Sequence, residues 1–324
     1  MLIYENALWL LLAALLLDAL AGDPDWIWRR LPHPVVWIGK VISLFDRHLN
    51  KNEASPHFRR LAGSGTLVIL VAGGLCAGAI IQAAAAAVPF GGLLTAVIAA
   101  VFLAQNSLYR HVAAVWDGLR DKGLPGGRQA VAMIVGRDPA QLDEAGVSRA
   151  AIESCAENFS DGVVAPVFWF ALLGLPGLIA YKAVNTADSM IGHKNAAYAE
   201  FGWASARFDD LVNLPASRLA GFMIALVAPL ASGSILKSLH CIRTDAGKHR
   251  SPNAGWPEAA MAGALGLALA GPRIYPGYTV DDRYLNGSAR LDAGVEDISR
   301  ALTILLGALA LQALIVAVLA VVTL

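Results

Sequence analysis

Residues 163 to 184 read VVAPVFWFALLGLPGLIAYKAV, a run without a charge until Lys182 and with Gly174-Leu175-Pro176-Gly177 at its middle. About 20 mostly apolar residues cross a bilayer, so this run is long enough to span once. Glycine and proline at its centre also allow a turn that folds it into a re-entrant hairpin. The choice decides where the flanking polar residues go. A single span puts residues 153–161 and 185–213 on opposite sides of a membrane, whereas a hairpin returns both to one side.

Working outward, the chain has 324 residues, 56% hydrophobic and only 15% charged, with mean hydropathy +0.55. That is far more apolar than a soluble domain, and it reads as an integral membrane protein. Other runs near spanning length are Leu2 to Ala21, Gly65 to Val88, Gly91 to Leu108, Leu214 to Gly233 and Ala301 to Leu324, with Gly255 to Ala270 a shorter candidate. Ala7 to Leu17 lacks a basic start and is followed by Asp18 rather than a small-residue cleavage site, so it reads as a retained helix. Val112, Val115, Trp116 and Leu119 recur at helical spacing, and Gly123, Pro125 and Gly126 end that pattern. Asp138-Pro139 offers a new helix start. Nothing alternates like a strand for long. The expectation is an all-α, polytopic helical bundle with about five to seven membrane-embedded helices. It forms one domain over residues 1–324, with polar loops near 22–64, 109–162 and 234–256 and a polar loop 185–213 whose side is open. Gly73, Gly74, Gly78, Ala79 and Ala83 to Ala87 supply small faces for close helix packing.

Formal net charge is zero and aromatics do not interleave with Lys or Arg, which disfavours nucleic acid as a partner. Cys76, Cys155 and Cys241 are too scattered for a disulfide framework or a zinc site. Lys and Arg crowd the loop after the first helix (Arg29, Arg30, Lys40, Arg47, Lys51, Arg59, Arg60) and the segment after the third (Arg110, Arg120, Lys122, Arg128, Arg137, Arg149). Both therefore read as cytoplasmic, as does the loop with Lys237, Arg243, Lys248 and Arg250. Taken alone, this charge bias favours a single span at 163–184.

The chemistry-bearing residues cluster around that span. Glu153, Glu157 and Asp161 repeat every fourth position, which stacks three carboxylates on one helical face beside Asn158. Such a face suits Mg²⁺, a hard cation that takes carboxylate oxygens and bridges to phosphates. It also reads as a plain acidic surface, with Ser160 or Asp161 capping the next helix. Lys182, Asn185 and Asp188, then His193 and Lys194, suit an anion or phosphate, while a lone lysine at a helix end can simply snorkel. Arg207, Asp209, Asp210 and Asn213 form a further cluster, and Arg218 pairs with Asp210 or faces an anionic ligand. His249 and Asn253 flank the turn Ser251-Pro252-Asn253-Ala254-Gly255, where His249 reads as a surface histidine. Asp23 and His33 lie in the Gly22-Asp23-Pro24 and Pro32-His33-Pro34 breaks, the prolines giving His33 a fixed direction.

Four ordered blocks, LLLDALAGDPDWIWRRLPHPVVWIGK, ESCAENFSDGVVAPVFWF, GLPGLIAYKAVNTADSMIGHKNAAYAEFGWASARFDDLVNLPASRLAG and DAGKHRSPNAGWPEAAMAGALG, cover most of the chain. Together they resemble the adenosylcobinamide-phosphate synthase family of cobalamin biosynthesis. The resemblance implies an ATP- and Mg²⁺-dependent ligase. It joins adenosylcobyric acid, a corrinoid, to (R)-1-aminopropan-2-ol or its O-phosphate through an amide. On that reading Glu153, Glu157, Asp161 and Asp188 are the expected metal ligands. Lys182, Asp209, Asp210 and His249 are the catalytic candidates, with Asp23, His33, Asn158, Asn185, His193, Lys194, Arg207 and Asn253 lining the substrate site. The implied partners are the corrinoid, the amine and the bilayer, with other cobalamin-assembly enzymes and an oligomer both open. The implied location is the bacterial inner membrane, as a multi-pass protein with a cytoplasmic active site. Because ATP and corrinoids are cytosolic, the resemblance favours the hairpin over the span that charge bias prefers. A transporter or channel, and a non-catalytic membrane sensor, are the competing readings. The transporter predicts inverted repeats, and no second copy of ESCAENFSDG or YKAVNTADSM occurs.

Overall fold

The computed structural model describes residues 6–136, 138–275, 278–280 and 282–323. Residues 2–5 of the first expected span, Arg137 of a basic segment and Leu324 at the end of the last expected span lie outside the described residues. In chain order the helices are α1 (Ala7–Ala21), α2 (Asp25–Trp28), α3 (Pro34–Leu49), α4 (Pro56–Ala86), α5 (Gly91–Val101), α6 (Gln105–Val131) and α7 (Glu144–Phe159). There follow α8 (Ala165–Ile191), α9 (Trp203–Val212), α10 (Leu214–Val227), α11 (Ile235–Asp245), α12 (Gly255–Leu265) and α13 (Val295–Val322). Between α12 and α13 the described strands form only two short antiparallel ladders, Leu269–Ala270 with Tyr284–Leu285 and Arg273–Tyr275 with Tyr278–Val280. The protein is all-α in the sense expected.

Among the described residues five helical stretches are long and apolar enough to cross a membrane: Pro56–Ala86, Gly91–Val131, Glu144–Ile191, Leu214–Ala231 and Val295–Val322. This is a multi-pass membrane protein. α1, at 15 residues, is shorter than a span. The chain packs as two compact units, one of Met1–Ala104, Ala165–Asn213 and Val316–Leu324, the other of Gln105–Val164 and Leu214–Ile315.

In the first unit the run at 163–184 does not cross straight. Gly174 has φ +68°, ψ −150°, outside any helix. A Cβ on Gly177 would lie 2.5 Å from the Trp169 carbonyl oxygen, yet eight residues of straight helix advance about 12 Å. The chain therefore turns sharply back at Gly174. The neighbouring residues Val212 and Asn213 receive one side chain from each arm: Trp169 Nε1 donates to the Val212 carbonyl at 3.2 Å, and the Tyr181 hydroxyl donates to Asn213 Oδ1 at 2.9 Å. Pro176, which has no N–H to lose, falls in the first turn of the second arm. The freed amide of Leu175 donates to Gln82 Oε1 at 3.0 Å, so non-helical backbone inside an apolar run is satisfied by protein. Gly123-Leu124-Pro125-Gly126 repeats both the tetrapeptide and its conformation, with Gly123 at φ +62°, ψ −158°. There a Cβ on Gly118 would lie 2.7 Å from the Gly126 carbonyl oxygen. One four-residue signal makes two reversals.

The small face of α4 packs closely at Gly74 and Gly78, whereas Gly73, also expected there, faces open space with nothing within 4 Å of a Cβ. A Cβ on Gly74 would lie 2.7 Å from Ala180 Cα, and one on Gly78 would lie 2.5 Å from Pro176 N. α8 thus rests backbone to backbone on α4. Ile42, Leu70, Ala187 and Phe201 extend that core toward α3 and α9.

Several expected boundaries move. Asp138-Pro139 opens only a 3₁₀ turn, Pro139–Gln141, and α7 begins later with Asp143 Oδ1 accepting from Gly146 N at 2.7 Å. Helix does not restart at Ser160 or Asp161. Residues Ser160–Val164 form a π turn between α7 and α8, where Pro166 cannot donate to the carbonyl four residues back. The expected span Gly91 to Leu108 breaks after Val101, before α6 begins at Gln105. Cys76 is exposed, Cys155 and Cys241 are buried, and all three cysteines are free.

Candidate active site

The second arm of α8 carries Lys182, Asn185 and Asp188 at three-residue steps, and α9 with its C-cap Asn213 brings Asp209 near Asn185 and Asp188 and Asn213 onto Tyr181. Two glycines make that approach possible. A Cβ on Gly202 would collide with the Ile191 carbonyl oxygen, so only glycine lets the entry to α9 lie on the end of α8. A Cβ on Gly192 would collide with Asp188 Oδ1 and lie 2.6 Å from the Asp188 carbonyl oxygen. The Asp188 carboxylate therefore sits in a notch that any larger residue would fill.

Asp209 is buried, with 8% of its surface exposed. Asn213 Nδ2 donates to its Oδ2 at 2.9 Å, while Oδ1 is buried without a hydrogen-bond partner among the described residues. Burial pushes the Asp209 carboxyl up to about 7, and the charge of Asp188 adds to the rise; Asn213 and Asn185 oppose it. α9 lies outside the five span-length stretches. Asp210 is also raised, by burial first, and is held back by Arg207 and Lys194. Arg207 stands 3.9 Å from Asp210 and is largely exposed.

The elevated Asp209 value has a consequence for stability. The folded carboxyl keeps its proton to about pH 7, whereas the unfolded chain loses it near the ordinary aspartate value of 3.8. Its contribution to folding is therefore full below the unfolded value and disappears as pH rises through the folded one. Asp209→Asn, which stays neutral, should gain stability relative to wild type on going from pH 5 to pH 8, by on the order of 2 kcal/mol. Thermal or denaturant unfolding in metal-free detergent solution checks this; a gain independent of pH would contradict it.

The remaining residues singled out in this unit have structural partners. His33 caps α3, its Nδ1 accepting from Val35 N at 3.2 Å, while Nε2 meets the Val101 carbonyl at 3.1 Å and Asp23 Oδ1 at 3.8 Å. Trp28 donates to the same Asp23 oxygen at 3.3 Å and packs edge-on against the His33 ring. Burial lowers the His33 pKa, against the pull of Asp23. The fixed direction that the prolines give His33 thus serves a helix cap. Lys182 is close enough to His33 to act on it electrostatically. His193 and Lys194 are exposed, and the His193 ring stands near Tyr198.

In the second unit Glu153, 3% exposed, accepts from Ala270 N at 2.9 Å and so anchors the first short ladder. Glu157 is exposed and Asp161 is partly buried within the π turn. The wider turn breaks the every-fourth-residue register, so the three acids do not present one uniform face. Asn158 Nδ2 donates to Ser154. His249 is not a surface side chain: its ring is buried, 4% exposed, with Nε2 3.6 Å from Glu258 Oε1. Asn253 is buried as well, its Oδ1 accepting from Ser217 Oγ at 3.1 Å and from Arg218 Nη1 at 3.0 Å. Arg218 also lies over the Trp256 ring. It is therefore occupied with Asn253 and Trp256.

Among the described residues no group of three or more His, Cys, Asp or Glu side chains is placed to hold a metal ion. Of the four expected metal ligands, Glu153, Glu157 and Asp161 belong to the second unit and Asp188 to the first. The residues that sequence reasoning passed over are Tyr181, which fixes Asn213, and Gly192, which seats Asp188. A tyrosine hydroxyl beside Lys182 in an apolar arm was the available signal for the first.

A family model described as CobD/Cbib protein matches residues 11–305. The chain belongs to the CobD/Cbib family. The cobalamin biosynthesis protein CobD of Sinorhizobium fredii (strain NBRC 101917 / NGR234) is 54% identical over 297 residues, 91% of each chain. The protein of the same name from Rhizobium meliloti (strain 1021) is 54% identical over 298 residues, again 91% of each. That of Brucella suis biovar 1 (strain 1330) is 51% identical over 303 residues, 93% of each. No solved structure matches. Membership of the CobD/Cbib family bears out the resemblance drawn from the four sequence blocks, and it places the chain in a family of cobalamin biosynthesis.

Proposed function

We propose that this CobD/Cbib family member is an ATP-dependent acid–amine ligase that joins adenosylcobyric acid to (R)-1-aminopropan-2-ol or its O-phosphate. The observation that carries the reading is the pairing of Asp188, seated in the Gly192 notch, with Asp209, whose buried Oδ1 has no hydrogen-bond partner among the described residues. A corrinoid carboxylate becomes an acyl donor when its oxygen takes the terminal phosphoryl group of ATP and ADP departs. The amine nitrogen then forms the amide bond, phosphate leaves, and the nitrogen gives up a proton. Asp209 Oδ1 is the acceptor for that proton, on a carboxylate held in place by Asn213, itself fixed by Tyr181.

Mg²⁺ fits this site. It is commonly held by one or two carboxylates together with substrate phosphates, so no cage of three acids is required. Asp188 is the residue that would hold it, and the ion would supply neutralisation of the phosphate charge. Lys182, six residues or about one and two-thirds turns before Asp188, together with Lys194 and Arg207, offers cations for the phosphate oxygens. The relatives' names favour a biosynthetic enzyme over a transporter or a sensor. With basic loops assigned to the cytoplasm, the reading puts the site at the cytoplasmic face of the inner membrane.

The test is purified, detergent-solubilised protein incubated with adenosylcobyric acid, Mg²⁺-ATP and either amine, with products followed by mass. Amide product with at least one amine, dependent on ATP, is expected. No product with either amine, from protein shown to be folded, rejects the ligase reading.

A further inference from the structure

α3 is apolar on two sides. Ile38, Ile42 and Phe45 pack inward against the first unit's core, while Val36, Trp37, Val41 and Leu44 face outward at 47%, 58%, 43% and 56% exposure. An outer face of that kind is costly in water. It suits the boundary between headgroups and acyl chains, where tryptophan collects and lysine and arginine snorkel.

A groove of about 610 Å³ opens along this helix where it meets the second arm of α8. Its floor is Gly39 and Met190, its walls include Val36 and Leu44, and Lys40 and Arg47 stand at its rim. A Cβ on Gly39 would lie 3.3 Å from Met190 Sδ, so the groove keeps its depth because residue 39 has no side chain. Lys40 and Arg47, seven residues apart, lie on one face of α3 about 10 Å apart along its axis, a gap their long side chains can close. Lys40 lies over the Trp37 ring at 5.0 Å, and among the described residues neither cation forms an ion pair. Two cations without carboxylate partners over an apolar channel, on a membrane protein, match an anionic amphiphile.

We propose that this groove binds an anionic glycerophospholipid, its phosphodiester between Lys40 and Arg47 and an acyl chain lying over Gly39 and Met190. The site is separate in its residues from the Asp188 and Asp209 pair and stands whether or not the ligase reading does. Recognition rests on charge at the rim and shape at the floor, so each can be removed alone.

Native mass spectrometry of the full chain, with phosphatidylglycerol and phosphatidylcholine of matched acyl chains in competition, reads the preference directly. Wild type should retain phosphatidylglycerol. Lys40→Gln with Arg47→Gln should lower the preference at least about tenfold, since each cation near an anionic headgroup contributes roughly 1 kcal/mol. Gly39→Leu, which fills the floor and leaves the charge, should lower occupancy by either lipid. Arg29→Gln with Lys51→Gln removes the same charge away from the groove and should leave the preference intact; thermal unfolding identifies any variant that has failed to fold. The proposal is overturned by equal retention of both lipids in wild type, or by an equal loss in the Arg29 and Lys51 pair. Displacement of the lipid by inorganic phosphate alone would make this a simple anion site, and displacement by adenosylcobyric acid would make it a substrate site; either result also overturns it.

Discussion

Asp188→Asn is expected to cut amide formation on the order of 10²- to 10³-fold, the loss typical when one preorganised charge-stabilising group is removed, while leaving the protein folded. The substitution keeps the shape of the side chain, so the seat over Gly192 survives, but it removes the carboxylate that would hold Mg²⁺ against the phosphates. A second readout separates this role from mere packing. Asp188 is one of the groups that raise the Asp209 carboxyl. Without its charge, Asp209 should titrate lower, and the pH dependence of stability attached to it should weaken. Gly192→Ala approaches the same seat differently, since both carboxylates remain but a methyl group intrudes on Asp188 Oδ1. It should reduce activity through displacement of Asp188. Steady-state turnover and unfolding profiles on the two variants decide the matter, and full activity in folded Asp188→Asn would remove Asp188 from the mechanism.

The same residues show what the sequence makes legible. Apolar runs of spanning length announce helices because burial in lipid demands continuous apolar surface and internally satisfied backbone. Gly-Leu-Pro-Gly announces a turn because glycine alone takes φ near +65° without cost and proline is tolerated in the first turn after it. That is why the two copies share one conformation. What the tetrapeptide cannot announce is its docking. Gln82, which accepts from Leu175 N, lies more than ninety residues earlier, in an alanine-rich helix where it carries no local signal. Glu153 misled for a similar reason. Its spacing to Glu157 and Asp161 is local, but its partner, Ala270 N, is remote, and the π turn breaks the register that the spacing assumed. His249 likewise has turn-forming neighbours, yet its burial is set by Glu258 on α12. Asp188 and Asp209 were each recognisable as candidates. Their pairing depends on Gly192 and Gly202, whose only property is absent volume, and absent volume has no meaning until the partner surface is known.

Gly78 gives that idea its largest structural effect. In isolation Gly78→Ala should favour α4, because alanine in a helix interior is preferred to glycine by about 1 kcal/mol. Gly73→Ala, five residues away on the same helix, isolates that gain, since a Cβ there meets nothing within 4 Å. At Gly78 the new methyl would press on Cα and N of Pro176. These are backbone atoms at the tip of the α8 reversal and cannot rotate aside as a side chain would. Proline stiffens the tip further, and the Gln82 bond to Leu175 N holds it on α4. Relief therefore requires shifting the hairpin as a body, which strains the path to Asn185 and Asp188 as well as the packing of Gly74 on Ala180. Gly78→Ala should destabilise by about 3 kcal/mol, the upper part of the range for overpacked sites, and Gly78→Leu by more. Unfolding in detergent compared across Gly73→Ala, Gly78→Ala and Gly78→Leu measures this. The strain also predicts an activity loss in whatever fraction of Gly78→Ala remains folded, because the same displaced arm carries Asp188. Equal unfolding midpoints for Gly73→Ala and Gly78→Ala would mean that the hairpin tip does not rest on Gly78, and the positioning of Asp188 would need another cause.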